Sequence, residues 1–533
     1  MSIVPRVAFN LAIAVVALSC AGTAAAQPVY HRCNDGDPET LDAHKTSTVG
    51  EAHLLQDLSE GLLIHDAQGK LAAGVAETWS ASTDGKIYTF KLRADARWSN
   101  GDPVTAGDFV FSLRRIMAPE TGAKYATVLY PIRNAEKINK GSGGLKADDL
   151  GAKAVDARTL EIALERPTPY FLELMTHQSG LPLHSASIEK HGKDFTRPEH
   201  WVSNGAYVLK EWVPGSHIAL EKNPHFHAAA NVAIASVRYY PCSDLAAAAR
   251  RFEAGEIHST TDVPADQVKR LKEKFGDQVK ISPYLGTYYL AVNTARAPLN
   301  DARVRQALSL MLDREFIAEQ IWSGTMLPAY SLVPPGTGNY GEPAYLPDKT
   351  QSPIDREDQA KALLQEAGFG PGLKPLKIEI RYNTTDNNRA TVVAVGNMWK
   401  ALGVETTYIN TDGKTHFAYL RDGGEFDVAR AGWIADYSDP QNFLFLLESQ
   451  NSGFNYARYK NPEFDALMRR AADDLNLEGR AKILHAAETM IMRDLPFIPL
   501  LYYSNRNLIS PKLSGFIPNL RGANATRFMA LNP

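Results

Sequence analysis

Cysteine is scarce in this chain: Cys20, Cys33 and Cys242 are the three among 533 residues, which excludes a disulfide-dense scaffold. The common catalytic signatures are missing too. There is no Gly-x-Ser-x-Gly elbow, Gly-x-x-x-x-Gly-Lys loop, Cys-x-x-Cys pair or His-Glu-x-x-His helix, and this silence points toward binding rather than chemistry. After the N-terminal segment no apolar run reaches the ~18 residues of a membrane span. Positive charge is not in excess. The formal net charge is −3, and loss of Arg6 with the N-terminal segment leaves 56 Lys+Arg against 60 Asp+Glu, a charge of −4. That balance argues against a nucleic-acid partner. Fixed-period repeats and extended low-complexity tracts are absent, which excludes solenoids and disordered tails.

What is present begins with an export signal over residues 1–26. Arg6 precedes the apolar run Leu11 to Leu18, and Ala24-Ala25-Ala26 supplies a small-residue cleavage site before Gln27. Cys20 raises the alternative of a lipidated start. The preceding Ala17-Leu18-Ser19 lacks the leucine three places before the cysteine, which favours cleavage after Ala26. With Cys20 removed, Cys33 and Cys242 are an even pair in an oxidising compartment and read as a disulfide; two separate free thiols are uncommon in exported proteins. The bridge makes the domain they share discontinuous in sequence. About 500 remaining residues exceed what one core holds, so two or three domains are expected.

Periodicity gives an α/β class with mixed sheets. Ile87 to Arg93 alternates Tyr88, Phe90 and Leu92 against polar residues as a half-buried strand. Thr105 to Asp108 reads as a capping box opening a helix with Phe109, Val110, Leu113 and Ile116. Ala206 to Trp212 and Ile218 to Leu220 read as strands, and Lys140 to Gly144 as a loop. Val304 to Leu312 carries a helical stripe, and Ala360 to Ala367 is a helix stopped by Gly368. The strand Leu376 to Tyr382, a helix with Val392, Val395, Met398 and Trp399, and the strand Val404 to Ile409 make a β-α-β unit. His225 and His227 have a spacing that suits metal on a strand, but Asn223-Pro224 signals a turn and no acidic residue is near in sequence. A surface loop is the reading, and no metal or cofactor is expected.

The most informative run is Phe426 to Pro440, in which Arg430 and Asp436 interrupt apolar and small residues. An even spacing of six puts both on one face of a strand, with Cα atoms about 20 Å apart if it stays extended. They cannot pair without a bend, so each is open either to a ligand or to other protein groups. A carboxylate suits an ammonium group and a guanidinium suits a carboxylate, so the face offers anchors for the two ends of a short peptide. Trp433, three residues from both, falls on the opposite face unless a bulge intervenes.

The segments Gly74–Trp79, Trp98–Arg115, Asn204–Trp212, Asn300–Leu308 and Arg430–Asp436 occur in an order that resembles the periplasmic oligopeptide-binding proteins of peptide ABC importers, solute-binding protein family 5. The match runs from about Tyr30 to the C-terminus. The resemblance implies a two-lobed periplasmic binding protein of class II, cluster C type, with mixed sheets and an extra domain, closing over its ligand about a hinge. It places 27–59, 184–284 and 503–533 in a discontinuous first domain, 60–183 in the extra domain and 285–502 in the other lobe. Cys33 and Cys242 both fall in the first domain, and dipeptide-binding relatives hold a similar bridge. Asp436 would receive the α-ammonium group, and the backbone of Ala431, Gly432, Trp433 and Ile434 would pair with the peptide. Ser47, Thr48 and Val49 would flank it, with Tyr125 and Tyr288 as further walls and Arg430 or Arg421 meeting the C-terminal carboxylate.

Ser47 stands where broad-specificity relatives carry Glu, Asn388 where they carry His, and a Lys is missing near Gln320. This leaves fewer anchors at alternative depths and implies a narrower length range, such as tripeptides, or a specialised cell-wall peptide. The expected partners are a short peptide and an inner-membrane ABC permease, served by a monomer in the periplasm. The rival readings are the same fold holding haem, nickel or another solute, and a secreted peptide hydrolase, which product formation would reveal.

Overall fold

The computed structural model describes Met1 and residues 28–370, 372–451 and 453–532. The expected leader, with Ala24 to Ala26 and Cys20, lies outside the described residues.

The first sheet joins distant parts of the chain. Val29–Asn34 runs parallel to Ser236–Pro241, which pairs antiparallel with His217–Lys222 and, through it, with Tyr207–Val213. Alternation turns Tyr207, Leu209, Ile218, Leu220, Val237 and Tyr239 inward against Leu54, Leu55 and Leu58 of the helix Val49–Leu58. Ile509, Leu513 and Met529, from the C-terminal end, complete that core. Asp57 on the helix is fully buried and satisfied by three donors: the Thr526 N–H (2.9 Å), the Thr526 hydroxyl (2.5 Å) and the Tyr239 hydroxyl (2.8 Å). A buried carboxylate requires such donors. Cys33 is bonded to Cys242, with Cα atoms 5.5 Å apart across 209 residues of sequence.

Residues 62–175 enclose a second core around Phe90, Trp98, Phe109 and Phe171. Ala76–Ala81, Ile87–Leu92, Thr159–Ala163 and Ala152–Asp156 form its antiparallel sheet. The expected capping pattern opens the helix Ala106–Met117, where the Asp108 carboxylate accepts from the N–H and the hydroxyl of Thr105, both at 2.8 Å.

The largest core belongs to residues 285–501. Its six-stranded mixed sheet runs Leu327–Pro328, Phe497–Leu508, Val279–Val292, Val428–Ile434, Leu376–Asn383, Val404–Thr411. The β-α-β unit read from the sequence is present, with Leu376–Asn383 parallel to Val404–Thr411 and the helix Asp386–Trp399 between them. The helix before Gly368 is longer than its apolar stripe suggests. It spans Pro353–Glu366 because Ser352 caps it and Pro353 suits the first turn. Val279–Val292 and Phe497–Leu508 carry the chain between the two halves. Val279 and Leu508 pack with the Cys33–Cys242 region, whereas Leu285–Val292 and Phe497–Leu501 pack in the large core, and the pairing register breaks between Pro283 and Thr287.

Candidate functional site

The strand Val428–Ile434 pairs along its full length with Val279–Val292, from Gly286 opposite Ile434 to Val292 opposite Val428. Ala435 N donates to Leu285 O at 2.9 Å and Asn293 N to Asp427 O at 3.0 Å. In an antiparallel ladder these bonds alternate, so Ala431 and Trp433 turn their backbone groups to this neighbour and Arg430, Gly432 and Ile434 turn theirs away. On that other side Leu376–Asn383 pairs only at Val428 and Ala429. His416 Nε2 donates to the Arg430 carbonyl at 2.8 Å. Among the described residues no strand pairs with Gly432 and Ile434 there, which leaves an edge that can accept an added strand.

Asp436 lies two residues past this strand. The common face expected for Arg430 and Asp436 assumes an extended run; the strand ends at Ile434 and the chain turns, so the turn places Asp436. Its N–H donates to Asn442 Oδ1 (3.3 Å) and its carbonyl accepts from Arg521 Nη2 (2.9 Å). The carboxylate accepts no hydrogen bond from the described residues. Burial pushes its pKa above the ordinary aspartate value, opposed by the charge of Arg521. Asp436 lines a cleft with about 1020 Å³ of empty space, together with Ser47, Thr48, Val49, Tyr125 and Ile434. An adjoining cleft of about 1080 Å³ shares Val49, His53, Tyr284 and Ile434 and adds Tyr503.

The flanking residues have local reasons for their positions. Thr48 caps the helix Val49–Leu58 in a reciprocal box with Glu51, which presents Ser47 and Val49 at the cleft. Lys124 Nζ donates to Ser47 Oγ (3.2 Å) and pairs with Glu39 (3.0 Å) at the rim. The Tyr125 ring lies tilted against His177 at 5.4 Å, and burial and the nearby Arg521 push the His177 pKa down to about 4.

Arg430 sits behind this surface. It is 9% exposed, and its guanidinium donates to Asn383 Oδ1 (2.9 Å) and to the Tyr503 hydroxyl (2.8 Å), over the Tyr288 ring at 4.3 Å. Its Nε is buried without a partner among the described residues. A guanidinium held only by neutral groups keeps its affinity for a carboxylate. Gly432 makes room for this arrangement, since a Cβ there would lie 2.5 Å from the Tyr503 hydroxyl.

Tyr288 is not a cleft wall. It is fully buried beneath Arg430, and its hydroxyl donates to Asn388 Oδ1 at 3.1 Å. Asn388 is buried too and donates to Asn383 Oδ1 (3.1 Å), so it steadies the amide that holds Arg430. Arg421 ends the helix Gly413–Arg421, is exposed and hydrogen-bonds Tyr456; it does not line either cleft. Trp433 faces away from Arg430, donating to Asn442 Oδ1 (2.8 Å) between the edges of Phe445 and Phe454. His227 bonds Glu60 at 2.8 Å, an acidic partner far away in sequence. Among the described residues no three His, Cys, Asp or Glu side chains are grouped to hold a metal ion. Asn383, His416 and Arg521 were not legible as site residues; no spacing ties them to Asp436.

A family model, "Bacterial extracellular solute-binding proteins, family 5 Middle", matches residues 70–455. The periplasmic oligopeptide-binding protein OppA of Salmonella typhimurium is 41% identical over 494 residues, covering 91% of this chain and 89% of OppA. The unliganded open form of the periplasmic murein tripeptide-binding protein MppA superposes with a TM-score of 0.87 at 37% identity, covering 95% of this chain and 98% of that one. A second MppA structure, from Escherichia coli, gives 0.77 at the same identity, covering 95% and 99%. The chain belongs to the bacterial extracellular solute-binding proteins of family 5.

Proposed function

We propose that this protein is a periplasmic receptor that captures short peptides and delivers them, as a monomer, to an inner-membrane ABC permease, binding them without chemical change. The observation that carries this reading is the Asp436 carboxylate, which lines the cleft and accepts no hydrogen bond from the described residues, just past a strand edge that no described strand covers at Gly432 and Ile434. The α-ammonium group binds Asp436, and the peptide backbone pairs with Gly432 and Ile434, which ignores side-chain identity. Ser47, Thr48, Val49 and Tyr125 flank the ligand. We divide the chain into 27–59 with 184–284 and 503–533, then 60–183 and 285–502, with the two crossing strands as the hinge; the cores within 62–175 and 285–501 support this, while Leu181 and Leu183 pack in the first-domain core.

Arg430 lies four residues inside the strand end, about 13 Å along it, which matches three to four extended residues. That distance, and the likeness to a murein tripeptide-binding protein, support a ligand of about three residues, including a cell-wall peptide. Calorimetry with di- to pentapeptides should peak near three residues, with the peptide recovered intact. Equal affinity at all lengths would reject the length preference, and recovery of cleaved products would reject the receptor reading.

Binding should also weaken on acidification. The free protein's Asp436 pKa is raised by burial, and an ammonium partner lowers it, so complex formation releases a proton between the two values. Affinity is therefore level from the free-protein pKa up to the α-amino pKa of the peptide, about 8, and falls by up to tenfold per pH unit below the free-protein pKa, starting above the ordinary aspartate range. A pH series should show this slope in the wild type and not in Asp436→Asn.

A further inference from the structure

The geometry points to a second charged anchor beside the first: we propose that Arg521 selects peptides with an acidic side chain in their first two residues. This rests on the peptide-receptor reading above and adds a substrate class to it.

Arg521 comes from the C-terminal segment and reaches across to the Asp436 loop of the other lobe. Its Nη2 donates to the Asp436 main-chain carbonyl at 2.9 Å, and it lines the cleft with Asp436, Tyr284 and His177. Its Nη1 is buried with no hydrogen-bond partner, and among the described residues no carboxylate lies within 4 Å of the guanidinium. The bond to the carbonyl holds the cation beside the anchor without neutralising the anchor's carboxylate. Two opposite charges thus line one cleft, each short of partners.

The remaining charges of the cleft do not supply the missing anion. His177 is held neutral by burial and by Arg521 itself, and burial likewise pulls His53 down. His65 is engaged by Glu173 at 3.1 Å, and Lys124 at the rim by Glu39. A peptide with one ammonium and one C-terminal carboxylate, the latter directed toward Arg430, leaves Arg521 unpaired. An aspartyl or glutamyl side chain on the first or second residue supplies the absent carboxylate within one or two residue lengths, each about 3.3 Å, of the ammonium. Guanidinium and carboxylate then form the bidentate, charge-assisted pair that half-buried surroundings strengthen. A lysyl side chain at the same place meets a like charge.

Arg521 is also held in place for this role. Asn519 is 7% exposed, and its side chain accepts from Arg521 N (3.1 Å) and Ala523 N (3.3 Å) while donating to Ile517 O (3.2 Å) and Ala523 O (2.9 Å). Leu285 N binds the Leu520 carbonyl at 2.9 Å, which fixes the loop to the crossing strand. A purely structural tether between lobes would show no preference among ligand charges, and this separates the two roles.

The test is calorimetry of the mature protein with Ala-Ala-Ala, Glu-Ala-Ala, Ala-Glu-Ala, Lys-Ala-Ala and Ala-Lys-Ala, repeated for Arg521→Gln and Arg521→Lys after thermal melts confirm folding. At least one glutamyl peptide should bind about tenfold or more tighter than Ala-Ala-Ala, and the lysyl peptides more weakly. The Glu-to-Ala affinity ratio should fall to near one in Arg521→Gln and keep its sign in Arg521→Lys. Equal affinities across the wild-type set overturn the selectivity and leave the peptide receptor standing. A glutamyl preference that persists in Arg521→Gln overturns Arg521 as its source. Failure of all five peptides to bind the wild type overturns both readings together.

Discussion

Asp436→Ala weakens a bound tripeptide by roughly 10- to 100-fold. A charge-assisted hydrogen bond is worth about 1.5–3 kcal/mol, and 1.4 kcal/mol is a tenfold change in affinity. The loss is expected to be this clean because the carboxylate supports nothing else: no described donor binds it, and burial already disfavours its charge in the free protein. Removing it should leave the unfolding transition within about 0.5 kcal/mol of wild type, as for a substitution outside the core. Calorimetry and a denaturant titration on the same sample check both halves. Undiminished affinity would mean that the ammonium group is received elsewhere.

Asp439→Ala has the opposite profile, destabilising the large lobe by about 3–5 kcal/mol. Asp439 and Arg480 are 0% and 1% exposed at their side chains and form two parallel hydrogen bonds of 2.7 Å. Removing one partner of a buried pair leaves the other charge uncompensated, which costs far more than the pair itself contributes. The site is also a junction. Tyr437, two residues before Asp439, stacks on Tyr170 of the 62–175 core at 5.0 Å and 3°, and Arg480 lies over the Tyr170 ring at 5.6 Å. Urea unfolding followed by tryptophan fluorescence should show an earlier transition for Asp439→Ala. The pair-replacing variant Asp439→Leu/Arg480→Met should recover most of it. A transition unmoved by Asp439→Ala would show that solvent reaches Arg480 and shields it.

These two aspartates are three residues apart, and the sequence distinguishes them poorly. Asp436 stands out because it ends an apolar run with Arg430 and fits a family block. Asp439 sits before Pro440 and looks like an ordinary turn residue, and its partner is 41 positions away. Local patterns were legible where their causes are local. Alternation marked Ile87–Leu92 and Leu376–Asn383, the Thr105-to-Asp108 spacing marked a helix start, and two cysteines left for one bridge could only join each other. The candidate site was legible at its centre and not at its edges. Pleat arithmetic carried Asp436 onto the face of Arg430 because nothing in residues 426–440 announces that pairing stops at Ile434; the neighbour that sets this limit is a strand more than 140 residues upstream. The resemblance implies a wall at Tyr288, yet the ring lies fully buried beneath the Arg430 guanidinium. Arg521 emerges only once the C-terminal segment folds back beside the Asp436 turn.

The threefold satisfaction of Asp57 bears on the order in which this chain is made. Its helix is among the first segments to be synthesised, but two of its three donors come from Thr526. Until those last residues arrive, the earliest helix carries a carboxylate that its own core cannot accommodate, and the sheet around Val29–Asn34 lacks Ile509, Leu513 and Met529. Contacts of such long sequence separation form slowly because loop closure precedes their reward. The buried members of the second core all come from residues 62–175, so that core can settle before the first domain is closed. A chain ending before Thr526 would leave the Asp57 carboxylate with the Tyr239 hydroxyl alone of those three donors.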